Sequence, residues 1–129
     1  MLLGLPASLI GVHLLSKGTN VHSEEEREKM ASHNPAYIFV IDQGSRSAPP
    51  VIDGDHTALI IDHHHATDAE FPKNSEYVSA CHSPPVATSA LLTYELCEPL
   101  HEGVKDRCAW LCLVGRLPDA SFHTFLDPG

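Results

Sequence analysis

Residues 59–65, Leu-Ile-Ile-Asp-His-His-His, decide how this chain is interpreted. The apolar run predicts a buried β-strand over Ala58–Ile61, and Asp62 and three histidines follow it at once. A second apolar run, Tyr37–Ile41, predicts another strand and ends at Asp42. Ligands of α/β domains collect at the carboxyl ends of strands, and carboxylate and imidazole groups suit divalent metals. The pattern therefore predicts a metal-dependent hydrolytic site.

Helical spacing, capping residues and prolines divide the rest of the chain into further elements. The predicted elements are a strand over 8–15, a helix over 23–31 opened by a capping box from Ser23 to Glu26, a short strand over 77–80, and helices over 86–97 and 105–114. The apolar positions Trp110 and Leu111 are expected in the core, and the Thr88 hydroxyl is expected to cap its helix. The charged run 24–29 is interpreted as a solvated helix face. Alternating strands and helices predict one α/β domain over residues 1–129, with a mainly parallel sheet and flanking helices.

Charge and cysteine usage limit the partners and the compartment. The formal net charge of −9 argues against a surface that holds long nucleic acid, so phosphate chemistry would require bound cations. The four cysteines form no C-x-x-C pair, which suits a reducing, cytoplasmic environment. The apolar N-terminus lacks a basic region typical of a signal peptide. No run approaches the ~20 apolar residues of a membrane span.

The combined motifs resemble the DHH phosphoesterase family. They are the strand-end sequence Asp42-Gln-Gly-Ser-Arg46, the strand-end sequence Asp62-His-His64, and Cys81-His-Ser-Pro-Pro-Val-Ala-Thr-Ser89 before a helix. The family includes RecJ-type exonucleases, oligonucleotide and cyclic-dinucleotide phosphodiesterases, exopolyphosphatases and family II pyrophosphatases. The resemblance covers roughly residues 5–117 and implies a DHH-type domain. It implies a hydrolase of phosphodiester or phosphoanhydride bonds, acting on a small phosphate compound, a polyphosphate or short nucleic acid.

The resemblance also implies roles for individual residues. Asp42, His63 and Asp119 would coordinate the metal, and His64 would contact the substrate phosphate. Asp62 would act with His64 in catalysis, either by orienting the histidines or as a further ligand. Arg46 and His82 would contact the substrate. The implied metal is Mn²⁺, with Mg²⁺ or Co²⁺ as substitutes. The implied mechanism is two-metal hydrolysis, in which the ions acidify a bridging water and stabilise charge on phosphorus.

Departures from the family leave alternatives open. No D-x-D motif precedes the first predicted strand, and the family's C-terminal substrate domain has no counterpart, so the chain is expected to be truncated at both ends. The residues around Asp119 fit the family's fourth motif poorly. The alternatives are a non-catalytic fragment or pseudoenzyme with partial metal binding, and a histidine-rich zinc-binding module. Asp42 would then cap a turn, and Arg46 would be a solvated loop arginine. A sheet edge exposed by truncation would favour self-association.

Overall fold

The described part of the protein contains three consecutive strands, with one helix before them and two after them. A computed structural model describes residues 4–46, 48–65 and 68–115. The elements are, in order, a 3-10 turn at Ala7–Leu9, helix α1 at Glu24–Ser32, strands β1 at Tyr37–Ile41, β2 at Thr57–Ile61 and β3 at Asn74–Val78, helix α2 at Ser89–Cys97, a 3-10 turn at Glu98–Leu100, and helix α3 at Gly103–Val114. In this part of the chain, no helix has the length and apolar character needed to cross a bilayer.

The three strands form a parallel sheet in the order β1-β2-β3. The register places Ile41 beside Ile61 and Ile61 beside Val78. The ladder continues one step further, because the Asp42 N–H donates to the Ile61 carbonyl at 2.8 Å and the Asp62 N–H donates to the Val78 carbonyl at 3.1 Å. The prediction of a general α/β fold with a parallel sheet is confirmed, and Asp42 and Asp62 follow neighbouring strands at the same edge.

One face of the sheet carries the described hydrophobic core. The buried cluster comprises Val21, Val40, Val51, Ile52 and Ile60, with Leu15, Met30, Ile38, Phe71 and Tyr77 packed around it. Each fully buried Val or Ile contributes roughly 1.5–3 kcal/mol relative to an exposed one. The loop between β1 and β2 therefore belongs to the core, since two of its residues, Val51 and Ile52, are each only 1% exposed.

Helix α1 begins as predicted, but only half of the capping box forms. The Ser23 Oγ accepts a hydrogen bond from the Glu26 N–H at 3.4 Å. The Glu26 side chain is buried, and its two oxygens lie 2.6 Å from His13 Nε2 and 2.8 Å from Lys29 Nζ. The interpretation of this run as a wholly solvated face is therefore wrong at Glu26, because a partner from the preceding segment covers it.

The predicted first strand over 8–15 is wrong. The segment starts with the 3-10 turn and continues without strand structure, and Val12 and Leu14 are 77% and 85% exposed. Its described backbone bonds stay local, such as the one from the Leu9 N–H to the Pro6 carbonyl. An apolar run becomes a strand only when a neighbouring strand accepts its hydrogen bonds, and here none of the described strands does. The predicted strand over 77–80 begins three residues earlier and ends two residues earlier, at Asn74–Val78.

Helices α2 and α3 pack against each other. The Thr88 Oγ1 caps α2 by accepting from the Leu91 N–H at 3.3 Å, as predicted. Helix α3 buries Val104 and Cys112, so the expectation that Trp110 and Leu111 are core residues is wrong: they are 59% and 50% exposed. Within the described residues, α3 packs against α2. The Trp110 and Leu111 side chains do not lie in this contact and stay exposed.

Candidate metal centre

Two strand ends and one helix start converge on His63. Its Nδ1 lies 3.0 Å from Asp42 Oδ1, after β1, and 3.0 Å from the Ser89 Oγ, at the start of α2. Potential ligand atoms of Asp42, Asp62, His63 and His64 all lie within 4.8 Å of one another. The parallel register explains this convergence, because it brings the residues that follow β1 and β2 to the same edge of the sheet.

The backbone of Asp42 turns sharply as it leaves β1. Its φ of +65° lies in the left-handed region, which few residues other than glycine adopt and which Asp tolerates better than most. Side chains held in such conformations cluster at functional sites. The carboxylate remains about half exposed, so it is accessible to a ligand.

The Asp62 carboxylate is buried and fully hydrogen-bonded. Its Oδ1 accepts from the His64 backbone N–H at 3.2 Å and lies 2.6 Å from His64 Nδ1. Its Oδ2 accepts from the Ser45 backbone N–H at 3.3 Å and from the Ser45 Oγ at 2.5 Å. These four donors occupy the acceptor sites of an ionised carboxylate. Asp62 is therefore suited to position His64, and Ser45 positions Asp62.

The environment of Asp62 favours its ionised form. Burial raises the pKa of this carboxyl, but the hydrogen bonds from Ser45 and His64 outweigh burial and hold the pKa below its usual value. The carboxylate is therefore charged at neutral pH and accepts a hydrogen bond from the Nδ1–H of His64.

This contact fixes the His64 ring. With Nδ1–H directed to the carboxylate, the second ring nitrogen, Nε2, carries the lone pair of the neutral imidazole. The ring stacks on His63 with centroids 4.4 Å apart and an interplanar angle of 27°. Its side chain is 57% exposed, so the ring has a defined orientation and an accessible face.

Sequence reasoning missed Ser45 and Ser89, which are each only 2% exposed. Ser45 reaches Asp62 because Gly44 turns the loop against the sheet: its φ is +93°, and a Cβ there would lie 3.1 Å from Val40 Cγ1. The sequence feature that could have indicated Ser45 is the pair Gly44-Ser45, soon after the strand-end Asp42. For Ser89 the signal was its position directly after the capping Thr88.

Two other predicted site residues, Arg46 and His82, are not members of this cluster. The Arg46 side chain is exposed and forms no hydrogen bond or ion pair within the described ranges. His82 packs edge-to-face on His65, with ring centroids 4.8 Å apart. Asp119 lies outside the described residues. The structure thus brings together four of the seven predicted residues.

Comparisons of this chain with protein-family models, with curated proteins and with solved structures found no match. Functional interpretation therefore depends on the site's own geometry and on the motifs that the sequence carries.

Proposed function

We propose that the chain is a DHH-type, divalent-metal-dependent phosphoesterase domain. Its substrate would be a phosphodiester or phosphoanhydride of modest size, such as a nucleotide, a short oligonucleotide or a polyphosphate. The observation that carries the proposal is the convergence of Asp42, Asp62, His63 and His64 within 4.8 Å at the carboxyl edge of a parallel sheet. The motifs that place these residues there are the ones by which the sequence resembles the family.

The donor set fits a divalent ion. Two cis ligand atoms of an octahedral ion with bonds of about 2.1 Å lie about 3.0 Å apart, and Asp42 Oδ1 and His63 Nδ1 are 3.0 Å apart. One carboxylate and one imidazole match the preferences of Mn²⁺ and also of Co²⁺, whereas Mg²⁺ prefers oxygen alone. Asp42 and His63 would hold the ion. Bound divalent ions would supply Lewis acidity towards a phosphoryl oxygen and would lower the pKa of water.

His64 and Arg46 are the residues suited to contact the phosphate. The Asp62 carboxylate orients the His64 ring through Nδ1 and leaves Nε2 available to contact a phosphoryl oxygen. Arg46 follows Ser45 in the same loop and is an exposed cation. A protein of net charge −9 would repel a long polyanion, which favours a small substrate.

A non-catalytic metal-binding domain is the second candidate. Within the described residues, the cluster has four members, and Asp62 is already saturated with hydrogen bonds. A two-metal centre needs more protein ligands than the remaining three supply. The set therefore matches one weakly held ion better than two, which favours binding without turnover.

Calorimetric titration with Mn²⁺ tests the site. We expect micromolar binding to the wild-type chain, and a loss of at least about tenfold in affinity in Asp42→Asn and in His63→Ala, because each removes one ligand. Asp106→Asn and His33→Ala are matched controls, since both side chains are exposed and lie outside the cluster. These controls should bind like the wild type. An Mn²⁺ affinity that is unchanged in Asp42→Asn would instead favour the histidine-rich zinc-binding module.

Hydrolysis assays distinguish the two candidates. Bis-p-nitrophenyl phosphate, a linear dinucleotide and inorganic pyrophosphate serve as substrates, with and without Mn²⁺. Metal-dependent turnover that disappears in His64→Ala while Mn²⁺ binding persists supports the phosphoesterase. Mn²⁺ binding without turnover of any substrate favours the non-catalytic domain, and the absence of binding contradicts both.

A further inference from the structure

Helix α2 begins beside the candidate metal centre. Its first residue, Ser89, is only 2% exposed, and the Ser89 Oγ lies 3.0 Å from His63 Nδ1. The same ring nitrogen lies 3.0 Å from Asp42 Oδ1. Two contacts on one nitrogen restrict rotation of the imidazole, because a hydrogen bond weakens steeply as its geometry departs from alignment. The place of the Ser89 hydroxyl therefore helps to decide where His63 presents its ligand atom.

The position of Ser89 depends on the first turn of α2. The Thr88 Oγ1 accepts from the Leu91 N–H at 3.3 Å, and the Leu92 N–H donates to the Thr88 carbonyl at 3.0 Å. This capped turn fixes the residues from 88 to 92 relative to one another. A displacement of the turn therefore moves the Ser89 hydroxyl with it.

The last turn of α3 lies against the first turn of α2. Gly115 ends α3, where its N–H donates to the Leu111 carbonyl at 2.9 Å. A Cβ built on Gly115 would overlap the Cβ of Ala90, the residue that follows Ser89. Gly115 has a φ of −68°, which any residue adopts, so its own backbone conformation does not require a glycine. The close approach of Ala90 does require one.

An overlap between Gly115 and Ala90 could be relieved only by movement of a helix. The Ala90 Cβ is attached directly to the backbone, and no side-chain rotation moves it away. Because close-packed interiors transmit such a strain to their neighbours, a methyl group added at Gly115 would press on the turn that carries Ser89. The contact between Ser89 and His63 would then lengthen.

We propose that Gly115 and Ser89 are positioning residues for the metal centre. Gly115 lets the end of α3 lie against Ala90, and this contact sets the Ser89 hydroxyl against His63. Gly115 acts through Ala90 and Ser89, and Ser89 acts through His63. The inference rests on the proposed function, because it concerns the Mn²⁺ site proposed above, and it adds α3 to the elements on which that site depends.

Calorimetric titration with Mn²⁺ measures the effect. Ser89→Ala and Gly115→Ala should each weaken binding by about tenfold, as loss of a group that orients a ligand typically does. Gly11→Ala is the matched control, because a Cβ added there meets nothing within 4 Å and its backbone is not left-handed. Gly18→Ala controls for stability: its φ of +83° makes the change unfavourable, yet Mn²⁺ affinity should stay unchanged.

A double-mutant cycle separates positioning from general destabilisation. If Gly115 acts through Ser89, Gly115→Ala should cause no further loss of affinity in a chain that already carries Ser89→Ala. Combining Gly115→Ala with Ala90→Gly exchanges the methyl group between the helices and should restore most of the lost affinity. If Gly115→Ala alone does not fold, this exchange variant carries the test, and an exchange variant that folds but binds Mn²⁺ weakly would count against the proposal.

Nuclear magnetic resonance of the metal-free chain gives a reading that does not need the metal. The Cε1–H resonance of His63 should shift in Ser89→Ala and in Gly115→Ala, and should stay in place in Gly11→Ala. A wild type that binds no Mn²⁺ would contradict the proposed function, and this resonance would still show whether Gly115 acts on His63. Unchanged affinity in Gly115→Ala, additive losses in the cycle, or an unmoved His63 resonance would each overturn the inference.

Discussion

At the scale of single residues, the candidate site depends on a serine that carries no chemistry of its own. Ser45 gives both its hydroxyl and its backbone N–H to Asp62 Oδ2. Asp62 uses its other oxygen to hold His64. The orientation of the exposed histidine is thus set by a buried chain of polar contacts that begins in the β1–β2 loop. Partners that orient a ligand in this way typically affect metal affinity or activity by 10–100-fold.

We expect Ser45→Ala to weaken phosphoester turnover by roughly tenfold, because His64 loses its fixed orientation. It should also lower the free energy of unfolding by about 1–3 kcal/mol, because a buried carboxylate loses a hydrogen bond. A hydrolysis assay and urea unfolding measure the two effects. Ser32→Ala, which removes an exposed serine hydroxyl bonded to the Lys29 carbonyl, is the control and should change neither quantity appreciably. Unchanged stability of Ser45→Ala would contradict the buried contact.

The sequence predicted the residues of the cluster that directly follow strands. Asp42, Asp62, His63 and His64 could be found because a strand end is visible as the end of an apolar run. The supporting serines could not be found in this way. Ser45 and Asp62 are separated by 17 positions, and Ser89 and His63 by 26, so their contacts depend on how a loop and a helix pack against the sheet.

At the scale of elements, the β1–β2 loop behaves as part of the core. Two hydrogen bonds tie it to α1 and the turn before it: His22 Nδ1 lies 2.8 Å from the Pro49 carbonyl, and Arg27 Nε donates to the Pro50 carbonyl at 2.7 Å. At its start, Gly44 has a φ of +93° and packs under Val40. This glycine lets the chain reverse close to the sheet and carry Ser45 to Asp62.

Gly44→Ala should lower the free energy of unfolding by about 2–3 kcal/mol. A left-handed conformation costs an L-residue about 1–2 kcal/mol, and the new Cβ would lie 3.1 Å from the buried, stiff side chain of Val40. Gly18→Ala isolates the first effect, because Gly18 has a φ of +83° and a Cβ added there would meet nothing within 4 Å. It should cost about 1 kcal/mol. If urea unfolding gave the same loss of unfolding free energy for Gly44→Ala and Gly18→Ala, the Val40 contact would contribute nothing.

The elements that the sequence predicted correctly carry strong local signals. Helix α1 has a capping serine, α2 has a capping threonine, and β1 and β2 are apolar runs that end in Asp. The segment over 8–15 has an equally apolar sequence, and its failure to form a strand reflects the absence of a pairing partner among the described strands. Local sequence does not contain that information, because hydrogen-bonding neighbours are set by the tertiary fold.

At the scale of the whole molecule, the N-terminal segment is attached through an ionisable contact. Glu26 lies between Lys29, on its own helix, and His13, on the segment before it; Glu25 also pairs with Lys29. The hydrogen bond from Lys29 and then the one from His13 lower the pKa of the Glu26 carboxyl below its ordinary value of 4.5. A carboxyl whose pKa is lower in the folded state stabilises the fold above its unfolded pKa, and this contribution is lost as the pH falls through the folded pKa.

The free energy of unfolding should therefore decrease as the pH is lowered below about 4.5, the ordinary pKa that Glu26 regains on unfolding. Glu26→Gln should be less stable than the wild type at neutral pH and should show a shallower acid decrease, since its side chain cannot titrate. Urea unfolding at a series of pH values measures both. Glu24→Gln, which removes an exposed carboxyl from the same turn, is the control. Parallel pH profiles for the wild type and Glu26→Gln would contradict the assignment.

The general α/β class of the molecule could be predicted from its apolar strand runs and its helical patterns, whereas its surfaces could not. Trp110 and Leu111 satisfy the pattern of a buried helix face, yet both are exposed in the structure. Periodicity shows which residues share a face of a helix. It does not show how many neighbours the helix has, so exposed apolar surfaces emerge only from the packing.

The Asp42–His63 contact also has a topological consequence. These residues stand at the two ends of the polypeptide that comprises the β1–β2 loop and β2. An ion held by both would close that stretch into a ring and would act as a reversible cross-link, comparable to a disulfide in the freedom it removes from the unfolded chain. Occupancy of the site and melting temperature would then be thermodynamically linked. Removal of the ion by a chelator would loosen the turn at Gly44 and the loop that follows it. The melting temperature measured with each metal would then show which metal the site prefers.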